Sequence, residues 1–147
     1  MKNNISEADW KVRVDLAAMF RLTNMMGWDD TVWNHITARA PGTEHTFFMH
    51  EMGLLYEEVK ASNLIKVDEN GKVLEGPEKA NTAGFIIHSA IHLNHPNAKF
   101  VFHAHPPSAL AATALKDGIP HLVQDSSMLY GKVGYHEWEG LSINKDE

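Results

Sequence analysis

No cysteine occurs anywhere in the 147 residues, which excludes disulfides, thiolate metal sites, cysteine nucleophiles and zinc deaminases. Basic residues are also few: 13 Lys and Arg stand against 19 Asp and Glu, a net charge of −6 with no basic stripe. Neither nucleic acid nor an anionic membrane is therefore expected as a partner. No apolar run approaches membrane-spanning length, and the opening MKNNISEADW lacks the basic-then-apolar pattern of a signal peptide; the expectation is a cytoplasmic chain. The ten glycines are dispersed, so no phosphate loop of the Walker or dinucleotide type exists, and Gly-x-Ser-x-Gly is absent. What remains is an ordinary globular composition, 44% hydrophobic and 22% charged, in a chain that fits one domain, residues 1–147.

Histidine is the one residue in excess. There are ten, and His88, His92, His95, His103, His105 and His121 fall close together. Imidazole is the commonest metal ligand and a near-neutral acid–base group. In FVFHAHPPS, His103 and His105 end an apolar run; on a strand, residues i and i+2 share a face, so the two rings would lie side by side. They read either as two nitrogen ligands of one cation, which would need a third ligand and an open position, or as the polar end of a buried strand. His88, His92 and His95 share a helix face at spacings that also suit a metal, although the Glu of the helical zinc motif is missing. The plainer reading of that face is a packed or solvated polar stripe.

The pattern predicts a helix from Ser6 to Met26, opened by a Ser6/Asp9 cap and stopped at Gly27. A strand over residues 31–39, a Pro41-Gly42 turn and a strand over 46–49 make a first hairpin. A short helical piece follows around Tyr56–Lys60, and Asn70-Gly71 turns a second hairpin between 64–68 and 72–74. Pro77 to Asn81 reads as loop and Thr82 to Asn94 as a helix, with Ile86, Ala90 and Leu93 on one side and Gly84, His88, Ile91 or His92, and His95 on the other. Residues 99–105 read as a strand and 108–115 as a small-residue helix. The sum is a mixed, mostly antiparallel single domain.

In order along the chain, Trp33-Asn34-His35-Ile36-Thr37-Ala38-Arg39, Gly53-Leu54-Leu55-Tyr56-Glu57-Glu58 and Ala61-Ser62-Asn63-Leu64 resemble the class II aldolase/adducin family. So do Ala83 to His92, the His103-Ala104-His105 pair and Tyr135-His136-Glu137-Trp138-Glu139-Gly140. The likeness covers nearly the whole chain and points to the adducin-like bacterial branch.

The resemblance implies an α/β fold, a three-layer α/β/α sandwich around a mainly antiparallel sheet, assembled as a homo-oligomer (a tetramer in the family). It implies a metal-dependent lyase that cleaves a C–C bond beside a carbonyl or carboxylate of a small-molecule substrate. A divalent metal, expected to be zinc, would polarise the carbonyl and stabilise an enolate-like state while a glutamate takes the proton. His103 and His105 would be two ligands. The family's third histidine lies downstream of this chain, so the C-terminal part of the domain is expected to be missing; His136 belongs to another motif. The glutamate position is Gly84, with His88 one turn on as a replacement base. Asn34 and Gly53 persist in phosphate-cradling positions, Trp33, Met52, Thr82 and Ala83 depart from the aldolases, and Gln124 aligns with a proton-donating tyrosine. The alternative is a non-catalytic, adducin-like module for binding or assembly.

Overall fold

Ser6 starts the first helix by chemistry the sequence shows: its Oγ accepts the Asp9 backbone N–H at 3.0 Å, satisfying one of the donors a helix leaves open. Ser6→Ala should therefore cost about 1 kcal/mol in urea denaturation, and an unchanged midpoint would show that the cap contributes nothing. The computed structural model describes residues 5–42, 45–77, 80, 82–137 and 140, with backbone alone at 82 and 83. The elements are α1 (Glu7–Met25), β1 (His35–Arg39), β2 (Thr46–Met49), a 3-10 turn (Tyr56–Glu58), β3 (Ile65–Asp68), β4 (Val73–Glu75), α2 (Thr82–Asn94), β5 (Phe100–His103), α3 (Pro107–Thr113) and α4 (Gln124–Ser127).

The five strands form one antiparallel sheet in the order β4-β3-β2-β1-β5. Strand alternation sends successive side chains to opposite faces. On one face Ile36, Ala38 and Phe48 pack with Leu16 and Phe20 of α1 and with Tyr56, Val59 and Leu64. On the other, Phe47, Met49, Ile65 and Val67 pack with Phe85 of α2. Helices on both faces make the expected three-layer α/β/α sandwich. Arg13 ties α1 to the edge strand β4: it is buried, donates to the Leu64 carbonyl at 2.6 Å and to Glu75 at 2.7 Å, and lies over the Phe48 ring at 4.4 Å. Among the described residues no helix is long and apolar enough to cross a membrane.

Several expectations shift. The strand predicted over 31–39 begins only at His35; Thr31 takes a left-handed φ of 50°, and the Asn34 carboxamide accepts the Asp30 N–H, so 31–34 turn instead of pairing. The last strand ends at His103, because the His105 N–H leaves the sheet for the Trp28 carbonyl at 2.9 Å. The predicted loop at Pro77 to Asn81 lies partly outside the described residues, as do Trp138 and Glu139. On α2 the structure decides what the sequence left open. Its polar side, with His88, Ser89 and His92, is buried, while Ile87, Ile91 and Leu93 are exposed. Periodicity gave two faces; the sheet selects the polar one because its own facing residues include His35 and Thr37.

Candidate functional site

On β1, His35 and Thr37 alternate onto the α2 face, and register places His103 of β5 directly opposite His35. The helix brings His88 and His92, at i and i+4, down onto the same spot. The result is a continuous run of contacts through the sandwich. The Nε2 atoms of His103 and His105 are 3.2 Å apart. Nδ1 of His103 lies 3.2 Å from Nε2 of His35, and Nδ1 of His35 lies 2.9 Å from Nε2 of His88. Thr37 Oγ1 sits between the other nitrogen of His88 and Nε2 of His92, 2.9 Å from each. Nδ1 of His92 ends the run 3.0 Å from the Ala98 carbonyl. At the opposite end, Nδ1 of His105 is 3.1 Å from an Asp30 carboxylate oxygen.

Burial dominates the electrostatics. His35, His88 and His92 are at most 4% exposed. Loss of hydration holds His88 down to about 2, with repulsion from His35 and His92 adding to it. His35 is lowered to about 3 by burial, then by His103 and His50. His92 is lowered to about 4 by burial, despite the Ala98 carbonyl that favours its protonated form. His103 is lowered too, by burial and then by His105. The interior rings are neutral near pH 7.

The pair at the outer end suits a divalent cation. Two imidazole nitrogens bound at about 2.0–2.1 Å in tetrahedral geometry stand about 3.3 Å apart, close to the 3.2 Å between these Nε2 atoms. Asp30, an acceptor only, takes the Nδ1–H of His105, so that in the neutral ring Nε2 carries the lone pair, the carboxylate–histidine arrangement that supports metal ligands. Among the described residues no third His, Asp or Glu joins the pair in a metal-holding group.

The other expected residues are distributed unevenly. Asn34 is fully buried beside this end: its Oδ1 holds the Asp30 loop, and its Nδ2 has no partner among the described residues. Gly53 is an exposed turn glycine at φ 98° with open space where a side chain would stand. Gln124 is exposed at the start of α4, and no hydrogen bond or ion pair links it to the histidines among the described residues. His88, expected as a replacement base, has both ring nitrogens engaged and is 2% exposed; it presents no nitrogen toward solvent. His95 is exposed, outside the cluster. Gly84 explains itself: a Cβ there would lie 2.5 Å from Cδ2, 2.6 Å from Cγ and 2.9 Å from Nε2 of His35. The His35 ring fills the space a glutamate side chain would enter.

Sequence reasoning placed His35 inside a motif and gave it no role, and it gave none to Thr37. The available signal was that His35-x-Thr37 on a strand and His88-x-x-x-His92 on a helix are each polar stripes in segments otherwise built for a core.

A sandwich of this topology, with a histidine pair at the mouth of its last described strand, defines a class, and the comparisons agree. The model of the Class II Aldolase and Adducin N-terminal domain matches residues 14–145, and the chain belongs to that family. An aldolase II superfamily protein of Pseudomonas syringae is 39% identical with a TM-score of 0.93, over 97% of this chain and 58% of that one. L-fuculose 1-phosphate aldolase of Glaciozyma antarctica PI12 is 32% identical with a TM-score of 0.79, over 89% of this chain and 54% of that one. Alpha-adducin of Rattus norvegicus is 37% identical over 92% of this chain and 19% of its own length. The chain spans somewhat more than half the length of the bacterial relatives it matches.

Proposed function

We propose that the protein is a divalent-metal-dependent lyase of the class II aldolase type, cleaving a C–C bond beside the carbonyl of a small hydroxy-carbonyl or carboxylate substrate. The observation that carries this reading is the pair of Nε2 atoms of His103 and His105, facing each other at 3.2 Å with Asp30 behind one ring and His35 behind the other. A cation held there, zinc being the expectation, supplies a Lewis acid for the oxygen on which negative charge develops. The chain's own residues prepare that place. Asp30 orients His105, and the buried Asn34 fixes the Asp30 loop. Gly53 and Gln124 remain proposed substrate contacts on likeness alone. His88 works inside the histidine chain, not as the base.

A specific observation favours a second reading, a non-catalytic adducin-like binding module: the site of the family's glutamate is Gly84, closed by the His35 ring. Turnover separates the two. Sugar phosphates and hydroxy-carbonyl acids supplied to the purified protein with zinc or manganese should release an aldehyde or ketone, with the signal lost on chelation and in His103→Ala. Metal binding without turnover or solvent exchange at the substrate α-carbon would favour the module.

We also propose a homo-oligomer. Ile87, Ile91, Phe102, Leu110, Leu122 and Met128 are exposed, large apolar side chains that an interface between copies would cover. Light scattering should show more than one chain per particle; a monodisperse monomer contradicts the proposal.

A further inference from the structure

We propose that Thr37 and His92 are positioning residues that fix, through a one-directional chain of hydrogen bonds, which nitrogen of His103 carries its proton. The Ala98 carbonyl can only accept, so Nδ1 of His92, 3.0 Å away, donates to it. A neutral His92 then has its lone pair on Nε2, and Thr37 Oγ1 donates there. Having spent its single hydrogen, the hydroxyl accepts from Nδ1 of His88. Nε2 of His88 is left to accept from Nδ1 of His35, and Nε2 of His35 to accept from Nδ1 of His103. The last consequence lies at the surface of the sandwich: Nε2 of His103 is a lone pair. Asp30 imposes the same result on His105 from the other side. Two lone pairs then face each other at 3.2 Å with no proton between them, an arrangement that repels until a cation is shared.

His88 and His92, neither of which touches the outer pair, are at most 2% exposed and so stay neutral, and a neutral ring cannot donate from both nitrogens. The direction therefore has no freedom once its last acceptor is a carbonyl. Taken singly, each neutral ring has two tautomers, and Thr37 is the member whose hydroxyl can donate toward either neighbour. His92 denies it that choice. The buried polar face of α2 has a use in this account: it carries the setting of a backbone carbonyl to a ring at the mouth of the site. This deepens the metal reading above and depends on it only for its consequence, the affinity of the His103–His105 pair.

Long-range 15N–1H NMR on the imidazoles of the metal-free 147-residue protein reads the chain directly. His35, His88, His92 and His103 should all be Nδ1–H tautomers, the less common form of free histidine. A single Nε2–H ring among the four overturns the proposal without any variant. Thr37→Val removes the hydroxyl at constant shape, so His88 loses its acceptor and His35 and His103 should move to Nε2–H. Zinc or cobalt affinity should then fall by about 10- to 100-fold, the range for lost support behind metal-bound histidine, and Thr37→Ser should restore both tautomers and affinity. Thr37→Val with unchanged tautomers and affinity would make the threonine merely structural. If the wild-type rings are Nδ1–H but neither zinc nor cobalt binds, the chain stands and the metal reading fails.

Discussion

Unfolding should be driven by mild acid: stability falls steeply as pH drops from about 6.5 toward about 4, the interval between the unfolded and folded histidine pKa values. Four buried rings contribute, and the three that make no contact with the outer pair suffice to set this window. His50 and His92 are each lowered to about 4 and His88 to about 2, in each case by burial first. A depressed folded-state pKa means the unfolded chain binds more protons between the two values, so stability rises with pH there. The contribution is complete above the unfolded value of 6.5 and is lost on the way down. At about pH 5 each ring costs about 2 kcal/mol, roughly 6 kcal/mol for the three. That is comparable with the whole stability of a domain, about 5–15 kcal/mol.

Urea denaturation across this range should show an uptake of nearly one proton per ring on unfolding. His50 offers a control, since it packs against Phe20 and Tyr56 and its Nδ1 has no partner among the described residues. His50→Leu should reduce the slope by about one proton. Stability that stays level down to about pH 5 would mean these rings are not buried and neutral as described.

Gly84→Ala should destabilise, against the ordinary preference of a helix. An exposed helical glycine gains about 1 kcal/mol on replacement by alanine. Here the new Cβ would stand 2.5–2.9 Å from three atoms of a His35 ring that is 4% exposed and held from both sides. The ring must move, overpacking a filled interior and releasing two hydrogen bonds, a loss of about 2–4 kcal/mol. Gly84→Glu, the residue expected at this position from the family, should be worse. It would not recreate a base, because the room for it is occupied. Pairing Gly84→Ala with His35→Ala removes the collision, so the two losses should sum to more than the double variant shows. A Gly84→Ala protein as stable as the wild type would require the His35 ring to be elsewhere.

How far the sequence could be read follows from the distance over which each feature is determined. The cap at Ser6, the Asn70-Gly71 turn and the alternation through β3 depend on near neighbours, and they formed close to where the pattern put them. The alternation of His103 and His105 was also legible, although His105 sits past the strand and owes its place to Trp28 and Asp30. The histidine chain was not legible. Its contacts join residues 51 to 68 apart, and no local pattern says that β1 lies beneath α2. For the same reason the helix was readable as two-faced while its buried face was not. Gly84 looked like the loss of a base; only the His35 ring above it shows a glycine required by packing.

The central claim, that His103 and His105 are poised as two lone pairs for one cation, is tested most directly by metal analysis of the purified chain. Wild-type protein incubated with zinc and freed of excess by gel filtration should keep about one ion per site, and the His103→Ala, His105→Ala protein should keep none. Wild-type protein that retains no zinc, manganese or iron, or a double variant that retains as much as the wild type, would contradict it.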